Sequence, residues 1–140
     1  MLSEDFLKEL HKRMFGKVWR WAGKVRQFER NIGVEAYRIS ADLRQLIDDC
    51  QFWIAHNTYK PDEISARFHH KLVWIHVYPN GNGRHARLAT DLLLVALGRS
   101  RFTWGSVNLV DPGKTRQAYI EALCDADRHE IAPLLEFVRS

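Results

Sequence analysis

Twelve residues set the terms for the rest of the chain: His76-Val77-Tyr78-Pro79-Asn80-Gly81-Asn82-Gly83-Arg84-His85-Ala86-Arg87. An apolar helical pattern leads into them. An almost wholly apolar one follows, with Leu88, Ala89, Leu92, Leu93, Leu94, Val95, Ala96 and Leu97. A proline and two glycines separate the two, so the unit reads as helix, tight loop, helix, with the loop opening the second helix. Backbone N–H groups at a helix start are unpaired and partly positive, and they attract anions. Glycines at 81 and 83 let that backbone come close to a phosphate. Arg84 and Arg87, three residues apart, share one face of the first turn. His76 ends the preceding helix and faces the same loop.

Each of these residues also has a purely structural reading. A histidine at a helix end often only caps it, but next to an anion cradle a neutral imidazole can take a proton from an attacking hydroxyl. Arginines in a first turn oppose the helix dipole, which calls for an anionic partner. Asn82 suits a turn, and its side chain could also donate to a phosphate oxygen. Together they indicate phosphate-ester or nucleotide chemistry.

The remainder frames this loop as one domain over residues 1–140, mostly helical with a small β-hairpin. At 46% hydrophobic and 11% aromatic, the chain can build a core. Its net charge of +4 is spread among acids rather than blocked, so a nucleic-acid surface is not expected. No apolar stretch is long enough for a membrane, and the start does not read as a signal peptide; a soluble, cytoplasmic protein is expected. Cys50 and Cys124 fall among apolar residues and read as buried free thiols.

Ser3 caps a first helix that Gly16 stops, with Phe6, Leu7, Leu10 and Met14 on its inner face. Val18 and the two following tryptophans, Trp19 and Trp21, are expected on the core, and Gly23 in a turn. Residues 26–40 lack helical period and carry Asn31-Ile32-Gly33, which predicts a β-hairpin flap lying on the helical body. Ser40 and Asp42 open a second helix, Pro61 a third that delivers His76, and Gly98 ends the fourth, the central one. Phe102, Trp104, Val107 and Leu109 are expected packing points in the loop beyond. Gly113-Lys114-Thr115 lacks the first glycine and the strand of a P-loop and reads as a helix start. Tyr119, Ile120, Leu123 and Cys124 form one expected helix face, and Ile131, Leu134, Leu135 and Val138 another. His69, His70 and His85 lack metal-ligand spacing and have no cysteine or acid beside them, so a zinc centre is not expected.

The twelve residues resemble the signature of the Fic/Doc family, written HxFx(D/E)GNGRxxR. Trp21-Ala22-Gly23-Lys24-Val25-Arg26 and Phe68-His69-His70-Lys71-Leu72-Val73-Trp74-Ile75 extend the likeness. Within that family it resembles the bacterial subgroup called mobile mystery protein B, tied to mobile elements. The resemblance implies an all-α Fic-like bundle with a hairpin flap. It implies transfer of AMP from ATP, with Mg²⁺, to a Ser, Thr or Tyr hydroxyl of a target protein. His76 would be the base. Gly81, Asn82 and Gly83 would form the anion hole, Arg84 would hold the β-phosphate and Arg87 the γ-phosphate. Ile32, Gly33 and Val34 of the flap would align the target by strand addition.

Two positions depart from the pattern. Tyr78 replaces Phe and should be neutral in effect. Asn80 replaces the acid that holds Mg²⁺, and a neutral amide oxygen is a weaker ligand for a hard cation. This leaves a catalytically weak nucleotide-binding module, a Doc-like kinase or another nucleotidyltransferase as alternatives. The family's inhibitory (S/T)xxxE(G/N) motif, which pairs a glutamate with the second arginine, here Arg87, is not found. An N-terminal segment beyond Met1 or a partner antitoxin would supply it, and the chain as given is expected to be uninhibited.

Overall fold

The computed structural model describes residues 2–106 and 111–140. Its helices are α1 (Glu4–Phe15), α2 (Ile39–His56), α3 (Pro61–Ile75), α4 (Asn82–Ala96), α5 (Pro112–Asp127) and α6 (Ala132–Val138). Local chemistry explains most of their ends. Ser3 Oγ accepts from the Phe6 N–H at 3.1 Å, capping α1, and Gly16 follows its last turn. Pro61 opens α3 where a missing N–H costs nothing. Asp111 caps α5 through the Gly113 N–H, so that helix begins three residues before Thr115. Val107 and Leu109 lie outside the described residues.

Helix α3 packs between α2 and α4, α1 lies on α4, and α5 pairs with α6. Two apolar clusters hold these layers. The larger joins α1 to α4 through Leu7, Leu43, Phe68, Ile75 and Leu93. The smaller joins α5 and α6 to the backs of α3 and α4 through Ala66, Leu94, Tyr119 and Leu134. A fully buried side chain the size of Phe68 contributes about 2–3 kcal/mol. An ion pair staples the ends: Arg139 donates to both Asp62 oxygens at 2.7 and 2.9 Å, tying the exit of α6 to the first turn of α3. Those hydrogen bonds hold the Asp62 carboxyl below its ordinary range.

Four expectations need correction. Residues 26–40 do not form a hairpin: among the described residues there is no strand, and this segment runs through bends into a 3₁₀ turn at Ala36–Arg38. Its backbone groups are drawn instead to one buried side chain, described below. Val18 is 72% exposed rather than packed, while Trp19 and Trp21 stack on each other at 4.6 Å. Cys50 is buried, and burial pushes its thiol up to about 12, but Cys124 is exposed. The inner face of α5 is Tyr119, Ala122 and Ala126, which keeps Tyr119 of the expected face but is otherwise rotated by about one residue; Ile120 and Leu123 turn toward a cavity.

Candidate active site

The loop between α3 and α4 is stiffened from inside and outside. Asn82 turns its amide inward: Oδ1 accepts from the Tyr78 N–H at 2.9 Å and Nδ2 donates to the Tyr78 carbonyl at 2.7 Å. Its side chain therefore closes the loop instead of reaching a phosphate, and only its backbone is left for that task. Asn80 Oδ1 accepts from the Gly81 N–H at 2.8 Å, so that donor too is taken within the loop. The N–H groups of the first turn beyond it have no side-chain cap.

From outside, α1 grips the same loop. His11 is fully buried, accepts from the Gly23 N–H at Nδ1 (3.0 Å) and so donates from Nε2 to the Asn80 carbonyl (3.0 Å). It also stacks on Tyr78 at 3.8 Å. His85 sits edge-on to Tyr78 and pairs its Nε2 with the Leu7 carbonyl at 2.9 Å. Burial lowers His85 to about 4 and moves His11 the same way. Both are neutral structural groups. The Tyr78 hydroxyl is buried and finds no partner among the described residues.

The glycines divide by purpose. At Gly81 (φ +77°) a Cβ would meet the Phe15 ring at 2.7 Å, so the fold itself requires glycine there. At Gly83 a Cβ would meet nothing within 4 Å. The fold does not need that glycine, although it costs helix stability. The space it leaves open is the cavity.

That cavity, about 540 Å³, collects His76, Gly81, Asn82, Gly83, Arg84 and Arg87, with Asn80 and Ile32 at its edge. His76 caps α3 in the left-handed region (φ 56°), a conformation that costs a non-glycine residue about 1–2 kcal/mol. The ring is half-buried. Burial first, then the nearby Arg26 and Arg30 guanidinium groups, hold its pKa below the ordinary value, so it stands neutral at pH 7. Arg84 stacks over Phe15 at 4.8 Å. Arg87 lies over Tyr119 at 4.4 Å and Trp104 at 5.4 Å. These aromatic seats aim two cations at one space.

Several residues here had escaped sequence reading. Arg116 and Tyr119 reach the cavity from α5, one turn apart. Fully buried His69, lowered to about 3 mainly by desolvation, pairs with the Tyr119 hydroxyl at 2.8 Å and fixes the ring under Arg87. Asp91 accepts from Trp104 Nε1 at 3.2 Å and steadies the other ring.

Arg26 organises the flap. It is 2% exposed and its guanidinium donates to the carbonyls of His76 (2.6 Å), Phe28 (2.9 Å), Ile75 (3.3 Å) and Val34. The Arg26 and Val34 N–H groups also donate to the Val77 and Ile75 carbonyls, at 3.0 and 3.4 Å. This is why residues 26–34 do not pair as strands. It also corrects the expected docking set. Ile32 faces the cavity, Gly33 (φ +90°) lies where a Cβ would sit 2.5 Å from His76 Cβ, but Val34 is buried with its backbone engaged.

No metal-ligating group of three or more His, Cys, Asp or Glu occurs among the described residues. No helix among them is long and apolar enough to cross a membrane.

The site is a helix start without a side-chain cap, with two arginines and a neutral histidine on one cavity, and comparison gives the chain a family. The Fic/DOC family model matches residues 1–94, and the chain belongs to that family. It is similar to protein adenylyltransferase fic-1 of Caenorhabditis elegans, 29% identical over 98% of this chain and 26% of that protein. It is also similar to protein adenylyltransferase Fic of Drosophila melanogaster, 30% identical over 93% of this chain and 26% of that protein. The chain thus spans about a quarter of these relatives. The solved C. elegans Fic-1 (residues 134–508) superposes with a TM-score of 0.80 at 28% identity, over 98% of this chain and 39% of that one. BepC of Bartonella tribocorum, solved with AMPPNP bound, shares the fold (TM-score 0.73, 19% identity, 99% of this chain and 73% of that one).

Proposed function

We propose that this domain is a protein adenylyltransferase, moving AMP from ATP to a Ser, Thr or Tyr hydroxyl of a target protein. One observation carries the reading: a neutral His76 at the mouth of a cavity whose opposite wall is an uncapped helix start with Arg84 and Arg87 aimed into it. The names of the relatives agree with it. In the reaction, His76 takes the proton as the hydroxyl oxygen attacks the α-phosphorus. The bond from that phosphorus to the bridging oxygen breaks, and pyrophosphate leaves. Backbone N–H groups of the α4 start and the two arginines hold the phosphate charge that builds up. Because the histidine is already unprotonated, no proton has to leave it first.

The residues present do not make a magnesium site. At the position where the family pattern has an acid, Asn80 Oδ1 is neutral and already accepts from the Gly81 N–H. A magnesium ion used in the reaction would have to be held by groups other than Asn80, because a neutral amide oxygen is a weak ligand for a hard cation. The same Asn80 favours a second reading, a module that binds nucleotide but transfers it slowly. Regulation would act at Arg87, through a carboxylate from a partner antitoxin or an inhibitory helix. The order of residues 76–87, with asparagine at 80, is our reason for the mobile mystery protein B subgroup and for a bacterial, toxin–antitoxin setting.

Incubation with α-labelled and γ-labelled ATP tests the reading. Label from the α position should appear on protein and vanish in His76→Ala. Transfer from the γ position alone would make the domain a Doc-like kinase. Binding of ATP without transfer, with transfer gained in Asn80→Asp, would establish the slow module.

A further inference from the structure

A second cavity, about 550 Å³, opens between the start of the flap and the Pro79–Asn80 turn. Its walls are the rings of Trp21 and Phe28 and the Pro79 ring, with Lys24 and Arg30 at the edge and Arg26 beneath. No aspartate or glutamate lines it. The acid of this stretch, Glu29, accepts from the Ala36 N–H at 3.2 Å and does not face the cavity. Arg26 donates its hydrogen bonds to backbone carbonyls, and the Glu29 charge offsets only part of the positive field at this end of the flap.

Of the two cations at the edge, Arg30 is held in place. Arg30 donates to the Pro79 carbonyl at 2.9 Å and lies 5.0 Å over the Phe28 ring, using one of its five N–H donors for the protein. Phe28 is 49% exposed, an aromatic wall without a cover. Asn80 borders both this cavity and that of His76. The flap runs from Phe28 on this side to Ile32 beside the base. A peptide segment lying along it would touch both.

We propose that this cavity is the docking pocket for an acidic side chain of the target protein, a few residues from the hydroxyl brought to His76. The carboxylate would meet Lys24 and the free donors of Arg30, and its aliphatic stem would rest on Phe28 and Trp21. This names the substrate class of the transfer and rests on the adenylyltransferase reading. It gives Lys24, Arg30 and Phe28 a part in choosing the target rather than in handling nucleotide.

The test uses two fluorescent peptides of equal length, each with one tyrosine, one flanked by glutamates and one by lysines. Binding is read by anisotropy against salt concentration, with ATP affinity measured separately by calorimetry. The wild type should bind the glutamate peptide at least tenfold tighter, less so at high salt. Lys24→Glu, a change at an exposed side chain, should reduce that preference severalfold, and Lys24→Glu with Arg30→Glu should abolish it. ATP affinity should stay within twofold in the single variant. Equal binding of both peptides, no binding of either, or displacement of the glutamate peptide by ATP would overturn the pocket. A wild type that binds no ATP would instead overturn the adenylyltransferase reading.

Discussion

The loop at residues 76–87 and the flap at residues 26–40 meet at His76 but are built in opposite ways. The loop is made from local rules: proline, glycine, an asparagine that bonds four residues back, and a helix start. The flap has no such grammar. Its shape follows from one buried guanidinium that gathers carbonyls from residues 28, 34, 75 and 76. A segment with regular backbone pairing advertises itself by period; a segment wrapped around a side chain does not. The first carries the two arginines to the cavity, and the second holds the His76 backbone and helps keep its ring neutral.

That contrast can be broken at defined points. The largest effect is expected at the base. His76→Ala should lower transfer by about 10³-fold, within the range for loss of a general base, while Tm changes little, because the ring is half-buried and alanine keeps the Cβ that makes the left-handed backbone costly. Arg26→Gln should follow. It leaves several buried carbonyls without their donor and should cost about 3 kcal/mol or more in chemical denaturation. Arg26→Lys should recover only part of this, since one ammonium cannot span that fork. If Arg26→Gln proved as stable as the wild type, the flap would not be built on this residue.

Acid should act on the loop's supports. His69 and His85 ordinarily titrate near 6.5 and are lowered to about 3 and 4. Between these values the unfolded chain binds protons that the folded chain refuses. Stability is therefore complete above pH 6.5 and falls as pH drops toward 4, by up to about 1.4 kcal/mol per pH unit for each histidine. Thermal unfolding from pH 7.5 to 4.5 reads this directly. A smaller effect separates fold from function: Gly83→Ala should raise stability by about 0.5 kcal/mol yet weaken ATP binding about tenfold, because only a ligand needs that space. Tyr78→Phe, which leaves the cavity untouched, should be neutral to stabilising by up to about 1 kcal/mol, since it removes a buried hydroxyl without a partner among the described residues.

The same contrast explains what was legible. Helix starts at Ser3 and Pro61 were readable because caps act within one turn. The loop at residues 76–87 was readable because its residues are consecutive and its turn chemistry is local. Arg26, His11 and His69 were not, because their partners lie tens of residues away and nothing local marks a buried cation or a buried imidazole. Arg116 and Tyr119 were hidden for a related reason: α5 turns them into the site only once it has packed on α3 and α4. Asn82 misled in another way. Its side chain looked outward by chemistry, but the backbone of Tyr78 claims it.

The claim that ties loop to flap is that His76 stands neutral because the fold desolvates it and sets two arginines beside it. Titration of its ring by NMR tests this without any turnover. The wild-type midpoint should lie below 6.5, and Arg30→Gln should move it upward but not to 6.5, because burial is the larger cause. A wild-type midpoint at or above 6.5 would contradict the account.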